Sequence, residues 1–309
     1  MRAFRRLAPA AAALAFVLAV VGSWIRINGA GMTCPDWPLC HGAIVPTLVG
    51  GVVLEWSHRM LALVESFVVA ATIVSGWRVR RQIVGLTPAL SALGGIFVAQ
   101  VLLGGATVRL GNSPISVVLH WGTAMALLAT LTIVALLAQF APAPSALRPR
   151  GETPAALAFA AILGFITMCI GSYVSSSFAG LACATFPDCD GTLTGHGTAQ
   201  LVQMLHRLGA ASFAIAACMA TVSAVQTGSA RVRGAAVAGT ALLFVQIALG
   251  AANVLWRLPT ALREAHAANA ALTFIVFVAA AVFATIDPLR EPAHEAQRTA
   301  VPARTAPIS

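Results

Sequence analysis

The chain has 309 residues, of which 59% are hydrophobic and only 9% are charged, and its net charge is +9. A chain this apolar is not an ordinary soluble domain and has the composition of a protein that crosses a membrane several times. All 19 basic residues are arginines, and most lie in short segments between apolar runs, so the positive charge reports membrane topology and excludes a nucleic-acid-binding role.

Eight apolar runs are long enough to cross about 30 Å of hydrocarbon. They predict an all-α, polytopic membrane protein with helices at about residues 8–25, 53–76, 87–107, 115–140, 155–175, 199–226, 235–255 and 264–286. Thirteen arginines flank one side of these helices and four flank the other, namely Arg26, Arg109, Arg257 and Arg263. Because arginine accumulates on the cytoplasmic side, both termini are predicted to be cytoplasmic.

Both ends of the chain need a separate interpretation. The first run also has the charged and apolar regions of a signal peptide, but its removal would leave seven spans and an unpaired first repeat. Residues 288–309 are rich in proline and polar residues, and they are predicted to be a disordered cytoplasmic tail.

Two predicted external loops each carry a pair of cysteines separated by five residues. Cys34 and Cys40 lie in the first loop, and Cys183 and Cys189 lie in the second. In an oxidising compartment each pair is expected to close its own loop as a disulfide, and we favour a structural staple over a redox relay. Zinc is disfavoured because neither loop has a matching set of histidines.

The two halves of the chain repeat each other. Both cysteines of the first loop recur 149 residues later in the second loop. The pair His58 and Arg59 recurs after 148 residues, and His120 recurs after 146. The segment QVLLGGATV in the first half matches QIALGAANV in the second. The pattern predicts a duplicated four-helix unit, residues 1–145 and 150–287, with the copies related by a two-fold axis along the membrane normal.

Four histidines lie near the external starts of the even-numbered helices. They are His58, His120, His206 and His266. His58 lies only about 7 to 9 Å along its helix, and His120 lies at a similar depth. Two imidazoles that face each other inside an apolar four-helix bundle form a bis-histidine haem site, so the sequence predicts one such site in each unit.

The charged neighbours of the histidines differ between the units. Glu55 lies one helical turn from His58, whereas the second unit has Gln203 at the matching position, so the first pocket is predicted to be the reactive one. Arg59 and Arg207 are candidates either to pair with haem propionates or to reach the lipid headgroups, and Arg26, Arg109 and Arg257 are weaker candidates. Glu65, two turns beyond His58, is either a helix-pairing residue or part of a proton path.

These motifs together resemble a known family. The Glu-x-x-His-Arg sequence that begins at Glu55, the second histidine His120, the CPDWPLC loop and the duplication are similar to haem A synthases, the membrane enzymes that make haem A from haem O. The resemblance covers roughly residues 10–286. It implies oxidation of a ring methyl group of haem O to a formyl group, as a step in the biogenesis of cytochrome oxidase, in a bacterial inner membrane.

The resemblance also implies roles for individual residues. Glu55, His58 and His120 would form the substrate site for haem O, with Glu55 accepting a proton or stabilising positive charge at the methyl carbon. His206 and His266 would hold a haem b cofactor, and the partners would include the haem O-producing enzyme and an electron-transfer partner. Some family members lack the cysteine pairs, which are therefore not expected to be essential to the chemistry. The alternative function is a di-haem electron-transfer protein that links quinol to an external thiol or metal partner, but it gives no reason for Glu55.

Overall fold

The computed structural model describes residues 1–140 and 151–287. This part of the chain contains no β-strand and has eight α-helices long and apolar enough to span a membrane: α1 (Arg2–Ile27), α2 (Gly51–Val79), α3 (Leu86–Arg109), α4 (Pro114–Phe140), α5 (Thr153–Ser176), α6 (Thr198–Thr227), α7 (Ala230–Leu255) and α8 (Thr260–Ile286). The predicted fold class and all eight helices are confirmed. The predicted division between the units, near residues 145–150, and the predicted tail, residues 288–309, lie outside the described residues.

Each helix begins earlier than the apolar pattern predicts. The difference is six residues for α1, five for α7, four for α8 and one or two for the other five helices. The extra turns contain arginine, threonine and glycine, which lower the local hydropathy but do not interrupt the backbone hydrogen bonds of a helix. Apolar runs therefore identify the membrane-spanning part of a helix and underestimate its full length.

The helices form two groups with the same internal contacts. In the first group α1 packs against α2 and α4, and α3 packs against α4. In the second group α5 packs against α6 and α8, and α7 packs against α8. The groups meet through α4 and α8, with α1 also touching α8 and α5 also touching α4. This arrangement is that of two similar four-helix units packed side by side.

A hydrogen bond between Arg26 and Ser175 marks the symmetry relation between the groups. The guanidinium of Arg26 on α1 donates to the hydroxyl oxygen of Ser175 on α5 at 3.0 Å. The two residues occupy matching positions of the repeat, because 175 − 26 = 149, the offset found for the cysteines. Equivalent residues of two units meet only near the axis that relates them, so α1 and α5 approach the pseudo-two-fold axis here.

The interior of the second group contains a pair of aromatic rings. Phe213 and Phe277 have ring centroids 5.5 Å apart and meet edge to face. Phe213 lies against Gly164 and Phe277 lies against Gly239, where an added Cβ would come within 3.0 Å of either ring. In a bilayer, such close packing of small against large residues replaces the hydrophobic effect as the main force that holds helices together.

Replacement of Phe277 by alanine is expected to lower the free energy of unfolding by about 3 kcal/mol, because the buried ring leaves a cavity that the neighbouring helices only partly fill. The matched control is Phe244→Ala, since that ring is 57% exposed at the outer surface of the bundle whereas Phe277 is fully buried. Thermal unfolding in detergent, followed by circular dichroism, measures both. Equal losses in the two variants would contradict the packing described here.

Candidate haem sites

Each of the four predicted histidines packs against a glycine of a neighbouring helix. The pairs are His58 with Gly22, His120 with Gly104, His206 with Gly171, and His266 with Gly250. A Cβ added to these glycines would lie 3.0, 3.3, 2.7 and 3.2 Å, respectively, from an imidazole carbon. Any side chain there would displace the ring. The glycines repeat with the histidines, since 171 − 22 = 149 and 250 − 104 = 146.

The imidazoles of His206 and His266 face each other across the second group. Their ring centroids are 6.4 Å apart and their planes are inclined by 71°. A metal–imidazole bond is about 2 Å long, so two rings that ligate one metal from opposite sides have centres about 6 Å apart. The separation and the flanking glycines fit a bis-histidine haem iron.

The hydrogen bond of His206 fixes its ring for this role. Its Nδ1 lies 3.1 Å from the main-chain carbonyl of Thr167, so Nδ1 donates and Nε2 is left free to bind a metal. The Nδ1 of His266 is buried and faces the main-chain carbonyl of Gln246 without a well-formed hydrogen bond. These contacts come from main-chain groups, which sequence patterns do not reveal.

His58 and His120 form the corresponding pair of the first group. The Nδ1 atoms of both are buried with no hydrogen-bond partner among the described residues. The position that matches Thr167 is Leu18, and its carbonyl makes no hydrogen bond with His58. The first pair is therefore less constrained by the protein than the second.

Glu55 is buried and binds the first cysteine loop. Its Oε1 pairs with Arg59 at 2.7 Å, and its Oε2 accepts from the hydroxyl of Thr33 and the main-chain N–H of Cys34, at 3.0 and 2.8 Å. Gln203 holds the second loop in the same way, because its Oε1 accepts from the N–H of Cys183 at 2.7 Å. The glutamate thus has a structural role that a glutamine also fills, and its charge is the difference between the units.

The arginines that were predicted to contact haem propionates differ in what surrounds them. Arg59 donates to the main-chain carbonyls of Cys34, Asp36 and Leu39, and Arg207 donates to those of Pro187 and Asp188. Both arginines therefore secure the loops above the histidines. Arg109 lines an outer cavity of about 320 Å³ together with Trp37.

The two cysteine pairs are disulfides, as predicted. Cys34 is bonded to Cys40, and Cys183 is bonded to Cys189. Each closed loop lies over the histidines of its own unit, because the first cysteine is tied to the residue one helical turn before the first histidine. Cys169 and Cys218 are free thiols within helices.

At matching positions further from the cysteine loops, the two units differ in whether a buried polar atom has a hydrogen-bond partner. In the second unit the amide of Asn269 donates to Oε1 of Gln246 at 2.9 Å. In the first unit Thr123 stands in place of Asn269 and bonds its own helix, so the buried Oε1 of Gln100 has no partner among the described residues. The Oδ1 of Asn253, near the cysteine-loop end of the second unit, is also buried without a partner in the part of the chain that the structure describes.

Comparison with known proteins decides the family. A family model described as cytochrome oxidase assembly protein matches residues 5–49 and 51–278. A haem A synthase of Bacillus licheniformis is 30% identical over 265 residues, which cover 82% of this chain and 87% of the relative. The chain belongs to the haem A synthase family.

Other haem A synthases also match this chain. That of Bacillus pumilus is 32% identical over 214 residues, which cover 63% of this chain and 67% of the relative. That of Methylobacterium radiotolerans is 29% identical over 315 residues and covers 82% of this chain. These matches confirm the predicted family and do not favour the alternative of a di-haem electron-transfer protein.

The first cysteine loop should become less stable in acid because Asp36 is then protonated. The N–H of Gly42, followed by that of His41, lowers the pKa of this carboxylate, which accepts from them at 2.8 and 2.7 Å. A carboxylate with a lowered pKa stabilises the folded loop above its ordinary pKa of about 4 and loses that effect as the pH falls through the lower, folded value.

We therefore expect the hydrogen-exchange protection of the His41 and Gly42 amides, corrected for intrinsic exchange rates, to fall between about pH 5 and about pH 2. In Asp36→Asn the protection should be weaker at the upper pH and should change little with acid. The same pH dependence in wild type and variant would show that another group controls the loop.

Proposed function

We propose that this protein oxidises a ring methyl group of haem O to a formyl group, giving haem A, and that its two units bind different haems. Residues 1–145 bind haem O through His58 and His120, and residues 150–287 hold haem b through His206 and His266. The protein is a multi-pass membrane protein by its eight apolar helices, and we place it in a bacterial inner membrane.

The assignment of haem O to the first unit and haem b to the second rests on one observation. At two matching positions, a polar atom has a hydrogen-bond partner in the second unit and lacks one among the described residues in the first. His206 and Gln246 have partners supplied by the protein, whereas the matching His58 Nδ1 and Gln100 Oε1 are buried without partners. A buried polar atom left unpaired costs free energy, which a ligand with matching groups recovers on binding. A site with such unpaired atoms suits a substrate that enters and leaves. The second unit, where the matching atoms of His206 and Gln246 already have partners, suits a resident cofactor.

In the second unit, His206 and His266 would ligate the haem b iron, and the carbonyl of Thr167 keeps His206 in the ligating tautomer. When bound, haem b supplies a one-electron carrier next to the substrate site. The protein's own contribution there is to hold the imidazoles apart at the required separation and to exclude water with apolar helices.

In the first unit, Glu55 supplies a fixed negative charge one turn from His58. With water as the source of the added oxygen atom, conversion of a methyl to a formyl group releases electrons and protons from that carbon, so positive charge develops there. A carboxylate already oriented by Arg59, Thr33 and Cys34 stabilises such charge without reorganising. It also offers a nearby acceptor for the released proton.

Two classes of protein partner follow from this reaction. Haem O is largely apolar, with polar groups only at its propionates and at the hydroxyl group of its isoprenoid chain. It must therefore come from a haem O-producing enzyme in the same membrane, and the electrons must leave to an electron-transfer partner. The disulfides act as staples for the loops that cover the two sites, because each first cysteine is tied to Glu55 or Gln203.

Replacement Glu55→Gln is expected to keep the first loop in place, since Gln203 already holds the second loop through the same contact. Conversion of haem O should fall about a hundredfold or more, because the charge that stabilises the reacting carbon is lost. The haem A to haem O ratio in membrane extracts measures the effect, and Gln203→Glu is the matched control, with conversion expected to continue. Normal haem A yield from Glu55→Gln would remove the charge from the mechanism.

Replacement Gly171→Ala is expected to push His206 away from His266, because the new methyl would lie 2.7 Å from an imidazole carbon. Haem content per protein should fall to about half, since one of two ligand pairs is disrupted while the other is untouched. Gly234→Ala on α7 is the control, as its Cβ meets nothing within 4 Å. The pyridine haemochrome assay measures the content; full haem content in Gly171→Ala would argue against His206 as a ligand.

A further inference from the structure

Glu65 is a buried carboxyl group to which the function above gives no role. It lies on α2 seven residues, or two helical turns, beyond His58 and further from the cysteine loops. Its residue surface is only 2% exposed, and neither carboxyl oxygen has a hydrogen-bond partner among the described residues. An ionisable side chain inside a membrane bundle is costly, so its presence indicates a function.

The second unit has an aromatic ring at the matching position. The α2-to-α6 offset of 148 makes Phe213 the counterpart of Glu65. Phe213 meets Phe277 at 5.5 Å, and the counterpart of Phe277, at the α4-to-α8 offset of 146, is Leu131. Two rings thus close the second unit below its histidines, whereas the first unit has a carboxyl group and a smaller aliphatic side chain there.

Gln100 is a second unpaired group on the same side of the histidines. It lies one helical turn from Gly104, the glycine that contacts His120, and it is further from the cysteine loops. Its Oε1 is buried without a partner, whereas the counterpart Gln246 is bonded by Asn269. By helical rise, Gln100 is about 6 Å and Glu65 about 10 Å beyond the level of the imidazoles.

We propose that Glu65, together with Gln100, forms a polar floor of the substrate site that hydrogen-bonds the hydroxyl group on the isoprenoid side chain of haem O. This inference rests on the proposed binding of haem O in the first unit. Haem O carries its propionates on one edge and its hydroxylated isoprenoid chain on the opposite edge. The charged propionates need the external, polar end of the site, so the hydroxylated edge points into the bundle.

A hydroxyl group buried in the bundle needs a partner, and a carboxyl group provides one in either protonation state. Haem b has a vinyl group in place of the hydroxylated chain and leaves the floor unsatisfied. The polar floor therefore selects haem O over haem b in the first unit. The ring pair of the second unit gives no such advantage to a hydroxylated haem, which is consistent with haem b as its occupant.

Binding of the two haems by the full-length protein tests the proposal. The protein is prepared from cells that make haem b but no haem O, and haem O and haem b are titrated separately while the Soret band is followed. The measured quantity is the ratio of the two dissociation constants for the first unit. Wild type should prefer haem O, Glu65→Leu should reduce the preference about tenfold, and Gln100→Leu should reduce it by a smaller factor.

Three further variants make the result specific. Glu65→Gln keeps a hydrogen-bonding group and should retain most of the preference, and Phe213→Leu in the second unit should leave it unchanged. If Glu65→Leu yields no folded protein, Glu65→Phe, which introduces the residue of the second unit, replaces it in the test. The melting temperature of the protein without haem O should rise in Glu65→Leu, since an unpaired buried group is removed; a purely structural carboxyl group would give the opposite sign.

An unchanged preference in Glu65→Leu overturns the proposal, and so does a loss of turnover with the preference intact, because the carboxyl group would then move protons and not recognise the hydroxyl. Failure of the proposed function is a separate result. It would appear as wild-type protein that binds haem O yet makes no haem A, whatever the preference of the variants.

Discussion

The close contact between an imidazole and a glycine is the feature on which the rest of this structure depends. It occurs four times, once for each of His58, His120, His206 and His266, and always joins neighbouring helices. Because glycine has no side chain, the helices approach closely and the imidazole has a fixed place between them. The separation of 6.4 Å between the rings of His206 and His266 follows from these backbone positions. The loops, the disulfides and the nearby carboxylate are all arranged around rings placed in this way.

Duplication gave the protein two similar frameworks, and the differences between them are concentrated in polar groups. The glycines and histidines are retained in both units, while Glu55 faces Gln203, Glu65 faces Phe213, and Thr123 faces Asn269 at matching positions. None of these differences interrupts a helix, so the two units keep the same architecture. A change of ligand or chemistry thus needs only a few side chains around an unchanged pair of imidazoles.

Glu55 shows how one residue serves both structure and chemistry. Its carboxylate binds Thr33, Cys34 and Arg59, and these contacts place the first disulfide loop over the site. Gln203 makes the equivalent contact with Cys183, so the loop does not require a negative charge. The structural role explains why a polar residue stands at this position in both units, and the reaction proposed for the first unit would account for the charge itself.

The sequence alone determined the number of helices, the duplication, the disulfide loops and the four histidines, because hydropathy, residue spacing and cysteine pairing are properties of the chain read in one dimension. It did not reveal the glycine that holds each imidazole or the carbonyl of Thr167, since both act across helices and one is a main-chain group. It also left open whether Glu65 pairs helices or belongs to a proton path. Only the tertiary structure decided that its oxygens have no partner in the described part of the chain, because hydrogen bonding inside a bundle depends on which helix faces which.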